Sequence, residues 1–271
     1  MKRRNRSFIP RIMLKNPEKT KNEIVAWIRD YFEKNGPECS AVIGISGGKD
    51  SGVCAALLKE ALGKDRIVAI LMPNGEQKDI DDAKLLVKLL DLPHAILNIE
   101  GAFKGMADML EGSNELKAIT GLDQLSTDTR VNLPPRLRMA TLYAVGQMLP
   151  HGGRVVNTCN RSEDYVGYST KYGDAAGDFS PLANLLVEEV YQIGEVLHLP
   201  EKLVKKAPSD GLSGKTDEDK LGFTYATLDH YVLTGECEDA KTKTRIDHLH
   251  KINLHKLELM PSFPLDQVEH E

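Results

Sequence analysis

Short continuous apolar runs alternate along the chain with stretches in which apolar residues return every three or four positions. Ala41-Val42-Ile43-Gly44-Ile45, Ile67-Val68-Ala69-Ile70-Leu71-Met72, Ala95-Ile96-Leu97-Asn98-Ile99 and Arg154-Val155-Val156-Asn157-Thr158 have the Val and Ile content of buried strands. Thr20 to Lys34 reads as an amphipathic helix, with Ile24, Ile28, Tyr31 and Phe32 on one side and Asn35-Gly36-Pro37 as its stop. A second helical pattern begins at Asp50, with Val53, Ala56 and Leu57 at one-face spacing. A third spans Gln77 to Leu90, with Ile80, Ala83, Val87 and Leu90 at core positions. The pattern predicts further helices over Arg136–Met148, after Pro134-Pro135, and around Leu186, Val190, Ile193 and Leu197. Beyond about residue 215 it reads as helices ending in a proline-containing tail.

Strands separated by helices predict an α/β fold: a doubly wound, mainly parallel sheet with helices on both faces. Ligands of such sheets bind outside the carboxyl ends of the strands, and Ser46 and Thr158 both fall just past such ends. Cys159 to Pro181 is polar and glycine-rich, a structureless length that is more often functional than idle. Ala207–Gly214 reads as a flexible loop, and Pro208–Lys215 is expected to close over a ligand and exclude water.

With 271 residues the chain is expected to form one domain over 1–271, with a basic arm at 1–17 and a tail at 258–271. The net charge of -5 lends no support to nucleic-acid binding as the main task. No apolar run approaches the ~20 residues of a membrane span, and none follows the basic start as a signal peptide requires. Cys39, Cys54, Cys159 and Cys237 are scattered, with no Cys-x-x-Cys pair, so the expected setting is a reducing cytoplasm. His248 and His250 stand two apart, wrong for sharing one helix face, and are not taken as metal ligands.

The chemistry concentrates where the first strand meets the second helix. Gly44-Ile45-Ser46-Gly47-Gly48-Lys49-Asp50-Ser51 runs from an apolar strand through glycines into a helix N-terminus. There the unpaired first-turn N–H groups and the helix dipole attract an anion. A Walker A loop requires glycine where Ile43 stands and Ser or Thr where Asp50 stands; the dinucleotide fingerprint fails at Ser46. An acid within a phosphate cradle repels its ligand unless a divalent cation lies between them, which points to magnesium at Asp50. The competing reading of Asp50 is a simple helix cap.

The string Ser-Gly-Gly-x-Asp-Ser resembles the pyrophosphate loop of the ATP pyrophosphatases, a family with a Rossmann-like fold. Ser46 to Ser51, Arg136-Leu137-Arg138-Met139, Thr158 with Glu163, Ser169-Thr170-Lys171-Tyr172-Gly173-Asp174, Lys206-Ala207-Pro208-Ser209 and His255-Lys256 together resemble NAD synthetase, in the same order. Met72-Pro73-Asn74-Gly75-Glu76-Gln77 is similar to a turn of that family. The resemblance implies that ATP adenylates the nicotinate carboxylate of deamido-NAD, and that ammonia then displaces AMP to give NAD. It implies ATP contacts at Gly44, Ile45, Ser46, Gly47, Gly48, Lys49, Asp50, Ser51, Thr158 and Ser209, with Asp50 and Glu163 as catalytic magnesium ligands. It implies deamido-NAD contacts at Arg136, Lys171, Asp178, His255 and Lys256, and a homodimer with the substrate at the subunit interface.

Taken singly, these residues have plainer readings: Glu163 as a solvated loop acid, Arg136 and Lys171 as surface cations. The sequence also departs from the family. Val187 stands where many ammonia-dependent relatives have Lys, Asn157-Thr158-Cys159-Asn160 replaces Gly-Thr-Asp-His, and Leu257 follows His255-Lys256 in place of Arg. The synthetase pattern begins within about forty residues, too few for an amidase domain ahead of it, so free ammonia is the expected nitrogen donor. The alternatives are a GMP-synthetase-like pyrophosphatase with another acceptor, and a catalytically silent nucleotide-sensing protein.

Overall fold

A computed structural model describes residues 12–77, 79–205 and 216–263. Ser209, the proposed closing loop up to Lys215, the first part of the basic arm and the end of the tail lie outside the described residues. The elements in order are α1 (Pro17–Asn35), β1 (Ser40–Gly44), α2 (Lys49–Leu62), β2 (Ile67–Leu71), α3 (Ile80–Leu89), β3 (His94–Ile96), α4 (Glu100–Gly112), α5 (Asn114–Thr120) and α6 (Thr127–Met148). After them come β4 (Gly153–Val155), α7 (Arg161–Val166), α8 (Val187–Val196), α9 (Glu201–Val204), α10 (Asp217–Leu221), α11 (Tyr225–Thr234) and α12 (Ala240–Asn253). A 3-10 turn over Leu254–Lys256 extends α12.

The strands pair in parallel in the order β3-β2-β1-β4. The chain winds outward from β1 through β2 to β3 and then returns to the other side of β1. The order in which strands are added therefore reverses between β1 and β4, where a doubly wound sheet opens a crevice. Alternation along β1 feeds two cores. Ala41 and Ile43 join Ile28, Phe32, Leu57 and Ile193 on one face, while Val42 joins Ile70, Leu142 and Val155 on the other. A smaller cluster of Val166, Val187, Leu221, Phe223, Leu228 and Ile246 ties α7, α8, α10, α11 and α12 together.

Several elements begin or end away from their predicted positions. α1 starts at Pro17 because the Asn16 side chain accepts from the Lys19 N–H (2.9 Å) and proline suits the first helical position. α6 starts at Thr127, capped by Ser126, and contains Pro134 and Pro135 instead of following them. The prolines cost local N–H bonds, but Leu133 and Pro134 are buried there, and packing carries the helix through. The segment Cys159–Pro181, expected without structure, contains α7. Strands β3 and β4 are shorter than predicted.

α6 lies on β4 at glycine distance. A Cβ added to Gly153 would stand 2.7 Å from both the Gly146 Cα and the Val42 Cγ2. Gly153→Ala is expected to cost roughly 1–3 kcal/mol through overpacking, read as a lower urea midpoint. An unchanged midpoint would show that α6 has slack at this crossing.

Candidate active site

The loop after β1 keeps its shape through its own side chains. The Gly48 N–H donates to Ser46 Oγ (3.2 Å), the Ser46 and Ser51 hydroxyls are 3.1 Å apart, and Ser51 Oγ donates to the Gly48 carbonyl (3.2 Å). Gly47 has φ +82°, and a Cβ on it would stand 2.6 Å from the backbone nitrogen of Ala83 in α3. That position demands glycine for conformation and for space. At Gly48 a Cβ would meet only Ser46 Oγ, at 3.4 Å, so this residue leaves the helix N-terminus open to a ligand.

This loop forms one wall of a crevice of about 670 Å³ between the carboxyl ends of β1 and β4. Gly44, Ile45, Ser46, Gly48, Lys49, Asp50, Ser51, Thr158, Glu163 and Lys256, all singled out in the sequence, line it. Arg136, Lys171, Asp178 and His255 are not among its lining residues. Arg136 Nε donates to the Lys171 carbonyl (3.2 Å), and the Lys171 ammonium donates to the His255 carbonyl. Lys256 Nζ donates to the carbonyls of Gly167 (2.6 Å) and Ser169 (2.8 Å), strapping the end of α12 to the loop after α7. Asp178 is engaged elsewhere: its carboxylate accepts from the Val155 N–H (2.7 Å) and the Tyr143 hydroxyl (3.2 Å). Val187, at the family-lysine position, is buried in the smaller apolar cluster.

Asp50 and Glu163 are 113 positions apart in sequence and come together through Lys49 and Asn160. Lys49 Nζ is 2.7 Å from Asp50 Oδ2 and 3.9 Å from Glu163 Oε1. Asn160 Nδ2 donates to Asp50 Oδ1 (3.0 Å), while its Oδ1 caps α7 by accepting from Ser162 and Glu163 N–H (3.1 Å each). Glu163 returns the bond by accepting from the Asn160 N–H (3.3 Å), completing a capping box. The α2 N-terminus has no side-chain cap, and Asp50 points instead to Lys49 and Asn160, against the simple capping reading.

Burial and the adjacent Asp50 charge push the Glu163 carboxyl up, and Lys49 opposes them. Burial alone lowers the Lys49 ammonium, but the Asp50 and Glu163 charges outweigh it and hold the group cationic. Two hard carboxylate donors beside an anion-binding helix start suit magnesium, which takes one or two protein carboxylates and fills its shell with water and phosphate. The soft donors nearby, Cys54 and Cys159, are thiols whose burial raises them well above their ordinary range.

Four contributors stand outside the site residues predicted from the sequence. Asn160 was legible as an Asn-x-x-Glu capping box at 160–163. Arg138 lines the crevice with its guanidinium donating to the Met72 carbonyl (3.0 Å). Asn74 and Ser169 also line it, and their Oδ1 and Oγ are buried without a hydrogen-bond partner among the described residues, donor and acceptor capacity that a ligand can take up.

A parallel α/β sheet with a glycine-rich loop after its first strand, and two carboxylates from separate strand ends facing that loop, defines an ATP-pyrophosphatase-type nucleotide enzyme. The family model described as NAD synthase matches residues 20–261. The NH(3)-dependent NAD(+) synthetase of Pyrococcus furiosus is 40% identical over 76% of this chain and 76% of its own length. That of Finegoldia magna is 35% identical over 93% and 98%. A solved structure described as NMN synthetase from Francisella tularensis superimposes with a TM-score of 0.78 at 32% identity, covering 91% of this chain and 98% of that one. The chain belongs to the NAD synthase family. It is thus a ligase of the NAD synthetase type, and the GMP-synthetase-like and catalytically silent alternatives fall away.

Asp229 of α11 braces the α7 start that carries Glu163. Only 1% exposed, it accepts from the Ser162 hydroxyl and from the Glu188 N–H (3.1 Å), while Ser162 Oγ accepts from the Val187 N–H (3.1 Å). Burial pushes its carboxyl up from 3.8 to about 6. A raised folded value means that the stability tied to this proton is full below the unfolded value and is lost as pH rises through about 6. Wild type should therefore lose stability relative to Asp229→Asn between pH 4 and pH 7, on the order of 3 kcal/mol, and run parallel to it above. Urea titrations of both proteins across that range check this; parallel curves throughout would refute it.

Proposed function

We propose that this enzyme uses ATP to adenylate the nicotinate carboxylate of deamido-NAD and that ammonia displaces AMP, yielding NAD and pyrophosphate. The observation that carries the reading is the meeting of Asp50 and Glu163 at the mouth of the loop that follows β1. A carboxylate oxygen is a poor leaving group, and adenylation turns it into one that departs with AMP. The Gly48 edge of the loop and the start of α2 offer N–H groups to the phosphates, and no protein nucleophile is needed. Asp50 and Glu163 would hold magnesium, which when bound neutralises phosphate charge during displacement. Thr158 and Ser209 complete the proposed ATP contacts, and Arg136, Lys171, Asp178, His255 and Lys256 the proposed deamido-NAD contacts.

The names of the relatives support ammonia as nitrogen donor. A homodimer is part of this proposal: a second copy would complete the deamido-NAD contacts at Asp178, Arg136 and His255, which lie outside the crevice lining. The proposed location is the cytoplasm, and no helix among the described residues is long and apolar enough to cross a membrane. The Francisella tularensis structure favours one second reading, with the mononucleotide of nicotinate as acceptor in place of the dinucleotide.

Purified protein with ATP and ammonium should convert deamido-NAD to NAD, and glutamine freed of ammonia should support almost no product. Preferential turnover of nicotinate mononucleotide in the same assay would transfer the assignment to the second reading. Asp50→Asn should fold, because the side chain faces the crevice, yet lose roughly a hundredfold or more in turnover. Near-normal pyrophosphate release from a folded variant would remove Asp50 from the mechanism.

A further inference from the structure

A lysine inside a proposed metal site is physically odd. Lys49 is 3% exposed, and its ammonium does not reach outward along the phosphate loop. It turns inward, 2.7 Å from Asp50 and 3.9 Å from Glu163, under the rings of Tyr191 and Tyr225, each with its centroid 5.9 Å away. α8 and α11 supply those rings and close the chamber. The Tyr225 hydroxyl is buried there without a partner among the described residues, and among those residues the ammonium has only the two carboxylates as hydrogen-bonding or ionic neighbours. Buried charge of this kind persists only when paired, because desolvation of either sign alone is costly.

From this arrangement we infer that Lys49 is a resident cation that holds Asp50 and Glu163 together in the nucleotide-free enzyme and keeps the pair from capturing a free divalent ion. The divalent ion then enters with ATP, whose phosphates add the negative charge that outbids the ammonium. Lys49 is a positioning residue in this role, since it acts through the two carboxylates. The inference rests on the reading of Asp50 and Glu163 as magnesium ligands.

The structure contains the reasons for both halves of the inference. Without the ammonium, two carboxylates held in one buried chamber repel each other and bind the next available cation. With it, one positive charge already occupies the position between them. Asn160, fully buried, adds a neutral N–H to Asp50 and so fixes geometry without adding charge. Magnesium sheds water reluctantly and normally keeps phosphate oxygens in its shell, which suits delivery by the nucleotide.

The test uses Mn²⁺ as probe and its free electron-paramagnetic-resonance signal as readout, on the full chain without nucleotide. Wild type should bind Mn²⁺ only weakly, and Lys49→Gln should bind it tighter by roughly tenfold or more. The double variant Lys49→Gln with Asp50→Asn should lose that gain, and Lys49→Arg, which keeps the charge, should stay near wild type. Equal or weaker Mn²⁺ binding by Lys49→Gln overturns the inference. Should Lys49→Gln fail to fold, wild type still decides: Mn²⁺ binding to the nucleotide-free protein tighter than about 0.1 mM overturns it, and weaker binding supports it. The magnesium reading is tested separately with a non-hydrolysable ATP analogue present. If Asp50→Asn leaves Mn²⁺–analogue binding unchanged, that reading fails on its own account, whatever Lys49 does.

Discussion

Two carboxylates from distant parts of the chain share one largely buried chamber, and much of the surrounding structure is arranged to make that tolerable. Like charges at such a distance, removed from water, repel strongly unless something between them is positive or donates hydrogen bonds. Lys49 supplies the charge and Asn160 the directed N–H, and both belong to the turns that carry Asp50 and Glu163. The arrangement is economical in sequence terms. Lys49 precedes Asp50 by one residue, and Asn160 precedes Glu163 by three, so each acid arrives with a local donor: the Lys49 ammonium for Asp50 and the Asn160 backbone N–H for Glu163.

Holding that chamber at the right place is the task of the sheet. β1 and β4 are neighbours, and α6 approaches β4 so closely at Gly146 that Gly153 has no room for a side chain. On the opposite face, Gly47 lets the loop come down onto the start of α3. These contacts set how far the loop after β1 stands from the turn after β4. A crevice of about 670 Å³ remains between them, a size common for small-molecule sites.

The C-terminal helix contributes by attachment. Asn253 Nδ2 donates to the Val166 carbonyl (3.1 Å), Lys256 binds the carbonyls of Gly167 and Ser169, and Gly167 could not carry a Cβ without meeting Asn253. Together with the bond from Lys171 to the His255 carbonyl, these contacts make α12 and its final turn the outer support of the crevice wall. His255-Lys256 thus has a structural task in the folded chain beside its proposed one as a substrate contact.

The sequence alone carried the fold class, the order of the four strands along the chain, the glycine-rich turn after the first strand and the family resemblance. These are encoded locally, in apolar runs, one-face spacing and contiguous motifs, so no distant partner is needed to read them. Its failures have the same root. Pro134-Pro135 reads as a helix boundary, yet burial of Leu133 and Pro134 carries α6 through it. The 159–181 stretch reads as loop because a six-residue helix is too short for periodicity, although its Asn160-Glu163 capping box was there to be seen. Only the tertiary structure decided which way the charged side chains turn. Lys49, on the predicted phosphate loop, is buried against Asp50 and Glu163 at the crevice wall; Asp178 accepts from the Val155 N–H and the Tyr143 hydroxyl, and Lys256 holds the carbonyls of Gly167 and Ser169, beside the substrate roles proposed for them. A side chain's partner depends on which strands lie side by side and which helices cover them. That is a property of packing between separate elements of the chain, and no local pattern contains it.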